Sequence, residues 1–155
     1  MKCLKRYAVI ACFLCTAMHS IAQGPNKIIN EPDYNKAKIF NDLPDRMNIR
    51  LVDVDALVNL PVGSPVNTVV APNFRAIGTV VSSSEDKLED MKSVVIKLQN
   101  RQGAIFTFTK RKLEQDTYSY SGRILNKNNG DAFDLVKENG QYVLLKKGIN
   151  ELISE

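Results

Sequence analysis

Residues 117–147 contain three strand-like runs separated by two turn signatures, and within the runs apolar residues fall on every second position. In Thr117-Tyr118-Ser119-Tyr120-Ser121-Gly122-Arg123-Ile124-Leu125, a period of two puts Tyr118, Tyr120 and Ile124 on one face and Ser119, Ser121 and Arg123 on the other. The next run sets Phe133 and Leu135 against Asp134, and the last, residues 141–147, is rich in β-formers until Lys146 and Lys147. The links are Asn126-Lys127-Asn128-Asn129-Gly130 and Glu138-Asn139-Gly140. Asn and Gly both tolerate positive φ, which the tight turns between hairpin strands demand. Runs joined this closely can only be antiparallel neighbours, so the stretch predicts a β-meander.

The same alternation extends upstream. Residues 66–71 and 74–82 predict a hairpin around Pro72-Asn73, with Phe74, Ala76, Gly78 and Val80 on one face. Glycine inside that second strand marks a bulge or a place where another backbone comes close. Residues 93–99 and 104–110 predict another hairpin, with Val94, Ile96 and Leu98 facing Ala104, Phe106 and Phe108. Between residues 83 and 92 the chain reads as a charged surface loop or one helical turn, and residues 110–116 as a polar link. Ile49 and Leu51 alternate as in a short strand. Asp53 is placed to cap one or two helical turns carrying Val54, Leu57 and Val58, which Pro61 ends. Gly148 breaks the last strand, and residues 149–153 dock as a short helical tail or edge segment. The expected fold is mainly β: a small antiparallel sandwich or partly open barrel of about seven strands with one short helix. Both architectures bury alternate residues of the same strands, so alternation does not choose between them.

The N-terminal residues have a different character. Lys2, Lys5 and Arg6 precede an apolar run over residues 7–18 and then Ser20-Ile21-Ala22, the layout of a signal peptide cut after Ala22. The run is shorter than the roughly 20 apolar residues that span a bilayer. The lipobox-like Val9-Ile10-Ala11-Cys12 would leave too few apolar residues after Arg6 for a leader. The expectation is an exported protein, periplasmic or extracellular, with no transmembrane anchor after processing. Residues 23–48 are polar, contain Pro25, Pro32 and Pro44, and read as a mobile lead-in that docks only in part. Residues 49–155 are expected to form a single β-rich domain.

Loss of such a leader narrows the available chemistry. Cys3, Cys12, Cys15 and the only histidine, His19, all precede the cut, and the chain has no tryptophan. What remains cannot host a Ser-His-Asp or Cys-His arrangement, a thiol redox pair, or a histidine-based zinc or haem site. Of the 21 basic residues, Lys2, Lys5 and Arg6 leave with the leader, so 18 face 17 acidic ones and nothing calls for nucleic acid. A two-carboxylate hydrolase using Asp131, Asp134 or Glu138 is the enzymatic reading, but these are turn residues beside Asn and Gly. Glu85, Asp86, Glu89 and Asp90 lack the oxygen-ligand spacing of a calcium loop. Asn126, Asn128, Asn129 and Asp131 are oxygen-rich, and hairpin-turn chemistry accounts for them. No enzyme activity, metal or cofactor is therefore expected.

Six residues are candidates for a binding surface. Lys110, Arg111, Lys112 and Arg123, with Lys146 and Lys147 on neighbouring strands, could form a basic patch for an anionic polymer, or guard a strand edge against pairing. Tyr118 and Tyr120, together with Tyr142, read either as an aromatic surface for a sugar or peptide, or as core residues with hydroxyls at the rim.

Four short pieces carry a resemblance. Leu60-Pro61-Val62-Gly63-Ser64, the hairpin ending Ile77-Gly78-Thr79-Val80, Tyr118-Ser119-Tyr120-Ser121-Gly122-Arg123-Ile124 and Gly130-Asp131-Ala132-Phe133 follow one another over residues 49–147. Their layout resembles the β-rich propeptide region ahead of secreted bacterial metalloproteases, without the catalytic domain. No His-Glu-x-x-His helix is present, so the resemblance implies no protease activity. It implies a stand-alone, inhibitor-like or propeptide-like module that binds or restrains another exported protein. The leading expectation is thus a non-enzymatic exported β-domain that binds a protein partner or envelope component. The alternative is a carrier of a small ligand or glycan, which would need an internal pocket.

Overall fold

Alternating apolar residues and tight turns make every neighbouring pair of strands antiparallel along most of the chain. A computed structural model describes residues 35–153. The leader expected over residues 1–22, with its cysteines and His19, and the first part of the lead-in lie outside the described residues. The strands are β1 (Arg46–Asn48), β2 (Pro65–Ala71), β3 (Phe74–Asp86), β4 (Met91–Leu98), β5 (Ile105–Lys112), β6 (Tyr118–Leu125), β7 (Asp131–Glu138) and β8 (Gln141–Gly148). Between β1 and β2 lie a short helix, α1 (Leu51–Val54), and a 3-10 turn (Asp55–Asn59); a second helix, α2 (Ile149–Ile153), follows β8. No described helix is long and apolar enough to cross a membrane.

All eight strands belong to one sheet in the order β1-β8-β7-β6-β5-β4-β3-β2, curled into a half-barrel. One sheet leaves no second layer for a sandwich, and the partly open barrel is the architecture formed. The curl brings the two ends of the sheet toward each other: the Arg50 amide, just after β1, donates to the Val70 carbonyl of β2 at 3.0 Å. Bulges in β2 between Val69 and Ala71 and in β3 between Val80 and Ser82 bend the strands at that end. Gly78 stands where a Cβ would come within 2.2 Å of the Lys97 carbonyl oxygen, the close backbone approach that a glycine in this strand signalled.

The concave face is filled. Phe74, Val80, Val94, Ile96, Leu98, Phe106, Phe108, Ile124, Phe133 and Leu144 are essentially inaccessible to solvent. Val54, Leu57 and Val58 from α1 and the 3-10 turn join the same cluster, so this short segment lies over the half-barrel as its lid. Burial of each of these side chains contributes about 1.5–3 kcal/mol relative to exposure.

Three sequence expectations need correction. The domain begins before residue 49, because Phe40, Leu43 and Met47 are core residues and β1 pairs with β8 through Arg46↔Leu145, Met47↔Leu144 and Asn48↔Val143. A polar composition hid three apolar anchors whose intervals of three and four residues show no strand alternation. Ile49 and Leu51 form no strand, since the strand lies just upstream and Leu51 begins α1. Residues 83–86 and 91–92 are not loop: β3 and β4 continue as a paired ribbon out to Asp86↔Met91. That ribbon carries Ser, Glu and Asp exposed on both faces, so it leaves no hydrophobic alternation in the sequence.

Candidate binding surface

Strands β4, β5 and β7 each end their apolar alternation on a lysine at the same end of the half-barrel. Lys92 precedes Val94, Ile96 and Leu98; Lys110 and Lys112 follow Phe106 and Phe108; Lys137 follows Phe133 and Leu135. Because side chains of one face recur every second residue, these lysines stand on the core face beyond the point where the core stops. Strand β6 supplies Tyr120 and Tyr118 there, the first half-buried and the second 43% exposed.

The lid meets this boundary with two polar side chains. Asp55 accepts from the Lys110 ammonium at 2.8–2.9 Å and from the Tyr120 hydroxyl at 2.9 Å, and Asn59 accepts from Lys92 at 3.1 Å. Burial and the hydrogen bond to Asp55 push the Tyr120 hydroxyl up to about 12 from an ordinary 10.0. The Tyr120 ring stacks on Phe108 with centroids 5.7 Å apart and meets Tyr142 edge-on at 5.3 Å. Tyr118 lies one step further out, with the Lys110 ammonium 4.1 Å from its ring centroid.

Two open clefts flank Tyr118. One, of about 270 Å³, is lined by Lys87, Lys92, Lys110 and Lys112 together with Glu85, Asp86 and Asp90. The other, of about 490 Å³, runs between Ile49, Leu51, Tyr120, Lys137 and Tyr142. Beside the first, the tips of two neighbouring hairpins carry the exposed Leu88 and Leu113. These clefts are surface features over a closed core.

The six sequence candidates do not form one patch. Lys110, Lys112, Tyr118 and Tyr120 share the concave face, whereas Arg111 and Arg123, at odd positions, point to the convex one. Each cation also meets a carboxylate: Lys110 meets Asp55, Arg111 meets Glu89, Lys112 meets Asp116 at 2.8 Å, and Arg123 meets Asp134 at 3.1 Å. The Lys112 pair holds the ammonium above and the Asp116 carboxyl below their usual ranges, through their mutual hydrogen bond. A series of neutralised pairs lacks the uncompensated charge that binding an anionic polymer needs.

The oxygen-rich loops are likewise occupied by the protein itself. Asp131, only 2% exposed, accepts from the Ile39 amide at 2.8 Å and the Phe40 amide at 2.9 Å. The Asn129 side chain and the Gly130 amide both donate to the Ala37 carbonyl. This loop is therefore a clamp on residues 36–40. In the β3–β4 turn, Asp86 accepts from the Leu88 and Glu89 amides, and Glu89 pairs with Arg111. Among the described residues no group of three or more Asp, Glu, His or Cys side chains could hold a metal ion.

Sequence reasoning missed Asp55 and Lys137 as members of this surface. The bond between Asp55 and Tyr120 joins residues 65 apart, and no local pattern encodes such a meeting. Lys137 did leave a signal, as the residue that ends an apolar alternation. No family model, curated protein or solved structure matches the chain.

Proposed function

We propose that this chain is an exported, non-enzymatic β-domain that binds a protein partner, or a protein component of the envelope, through the Tyr118 end of its half-barrel. The observation that carries the reading is the contrast on one face. Phenylalanines of β3, β5 and β7 close the core completely, while on β6, four residues beyond the position that faces Phe108, Tyr118 remains 43% exposed under the Lys110 ammonium and between two clefts. Exposed aromatic rings held by cations, with apolar side chains nearby, are the composition of protein interfaces rather than of an ordinary solvated surface. The resemblance to metalloprotease propeptides points the same way, toward an inhibitor-like or propeptide-like module. Absence of histidine and cysteine beyond residue 19 supports a role without catalysis, and the leader-like N-terminus supports a periplasmic or extracellular location.

The test is affinity capture from the source envelope and culture fluid, comparing the processed protein with a Tyr118→Ala, Lys112→Ala double variant. A macromolecule retained by the first and lost by the second is the expected result. A co-purifying small molecule with no retained macromolecule would overturn the proposal and favour the carrier.

A further inference from the structure

The ladder between β6 and β7 stops early. It contains only Arg123↔Asp134, Ile124↔Phe133 and Leu125↔Ala132, although both strands run on. Strand β6 keeps its pairing with β5 as far as Lys112↔Tyr118, and β7 keeps its pairing with β8 as far as Glu138↔Gln141. Two extended strands thus lie side by side, each paired on its outer flank and neither paired with the other over residues 118–121 and 136–138.

The direction of the backbone groups follows from one bond. The Tyr120 amide donates to the Tyr142 hydroxyl at 3.1 Å, so Tyr120 turns its backbone polar groups toward β7. Alternation then turns those of Tyr118 and Gly122 the same way, while Ser119 and Ser121 face β5. A tyrosine hydroxyl occupies the place of a strand partner at Tyr120, and beyond it the ladder position of Tyr118 stands open, whereas Gly122 adjoins the Arg123↔Asp134 pair and lies against β7.

Both faces of the split are accessible. The concave side opens into the cleft of about 490 Å³ that holds Tyr118, Tyr120, Lys137 and Tyr142. The convex side opens into one of about 460 Å³ lined by Thr109, Ser121, Arg123 and Asp134.

We infer that the open edge of β6 takes up an extended peptide segment of the partner as an added strand, with backbone pairing at Tyr118 and Tyr120. This rests on the partner-binding reading above and specifies its mode. Amides and carbonyls at ladder spacing complement another backbone and nothing else, so the occupant is a polypeptide in β conformation rather than a glycan or lipid. Its side chains alternate between the two clefts: apolar or aromatic residues reach the tyrosines, and polar residues reach Thr109, Ser121 and Arg123. The Tyr142 hydroxyl leaves the Tyr120 amide when the strand docks.

The test selects twelve-residue peptides from a random displayed library against the processed protein, then follows amide hydrogen exchange residue by residue with the tightest peptide bound. Selected peptides should alternate apolar and polar residues. Exchange at Tyr118 should slow by about tenfold or more, while Ser119 and Ser121, already paired with β5, change little. Tyr142→Phe removes the hydroxyl that competes for the Tyr120 amide and should tighten peptide binding by about fivefold. Peptides that bind without slowing Tyr118 would overturn the added strand yet leave the partner-binding reading intact. Selection of no peptide would also overturn the added strand, and the capture experiment then decides separately whether a folded partner is bound.

Discussion

Strands β6 and β7 are joined at one end and parted at the other. At the joined end Ile124 faces Phe133, Phe40 meets the Phe133 ring edge-on at 5.2 Å, and Asp131 holds the chain carrying Phe40 by two amides. At the parted end the positions that would extend the core carry Lys110, Lys112, Lys137 and the half-exposed tyrosines. A lysine costs too much to bury unpaired, so the core cannot grow past Phe108 and Leu135, and the ladder has no apolar contact to draw it closed. Stability is concentrated at one end of the strand pair, which leaves the other free to present backbone and aromatic surface. In the proposed binding role, the joined end is the rigid scaffold and the parted end the surface presented to a partner.

The sharpest way to break this comparison is Phe40→Ala. It should cost about 3–5 kcal/mol in chemical denaturation, since it removes a fully buried ring from the joined end. A loss under about 1 kcal/mol would mean that residues 36–47 merely rest on the sheet. Next is Asp131→Ala, expected to cost about 2–4 kcal/mol by stranding the Ile39 and Phe40 amides. Proteolysis within residues 36–47 should accelerate in this variant, and unchanged cleavage would remove the clamp from the argument.

Smaller effects sharpen the picture at the parted end. Tyr120→Phe should cost about 1 kcal/mol through loss of the bond to Asp55. The unfolded tyrosine ionises near 10.0, while the folded one holds its proton to about 12. The contribution of Tyr120 is therefore complete below pH 10 and disappears as pH rises through 12. The stability difference between the native protein and Tyr120→Phe should shrink over that window, and a constant difference would place the hydroxyl outside the Asp55 bond. The least change in stability is expected for Tyr118→Ala, within about 0.5 kcal/mol, together with the loss of partner retention. A large stability loss there would make Tyr118 a core residue and take away the exposed ring on which the binding surface depends.

Much of the fold was legible because it is local. The hairpins around Pro72-Asn73 and residues 100–103, the meander over residues 117–147 and the glycine at position 78 are all written in short-range alternation and turn chemistry. The paired ribbon of residues 83–86 and 91–92 was not, because a strand with solvent on both faces has no hydrophobic period. Of the candidate surface, Tyr118 and Tyr120 were visible as an alternating pair. The separation of Lys110 and Lys112 from Arg111 and Arg123 followed from strand parity, but their neutralisation by Asp55, Asp116, Glu89 and Asp134 needed coordinates.

By itself the sequence determined that the chain makes antiparallel strands with one apolar side, since a period of two and asparagine-glycine turns act over a few residues. Only the tertiary structure decided that one curled sheet forms rather than two packed layers, that Phe40 belongs to the core, and that β6 and β7 part after three residue pairs. Those outcomes depend on which distant side chains compete for the same interior, and that competition is settled by packing in three dimensions rather than by the order of residues along a strand.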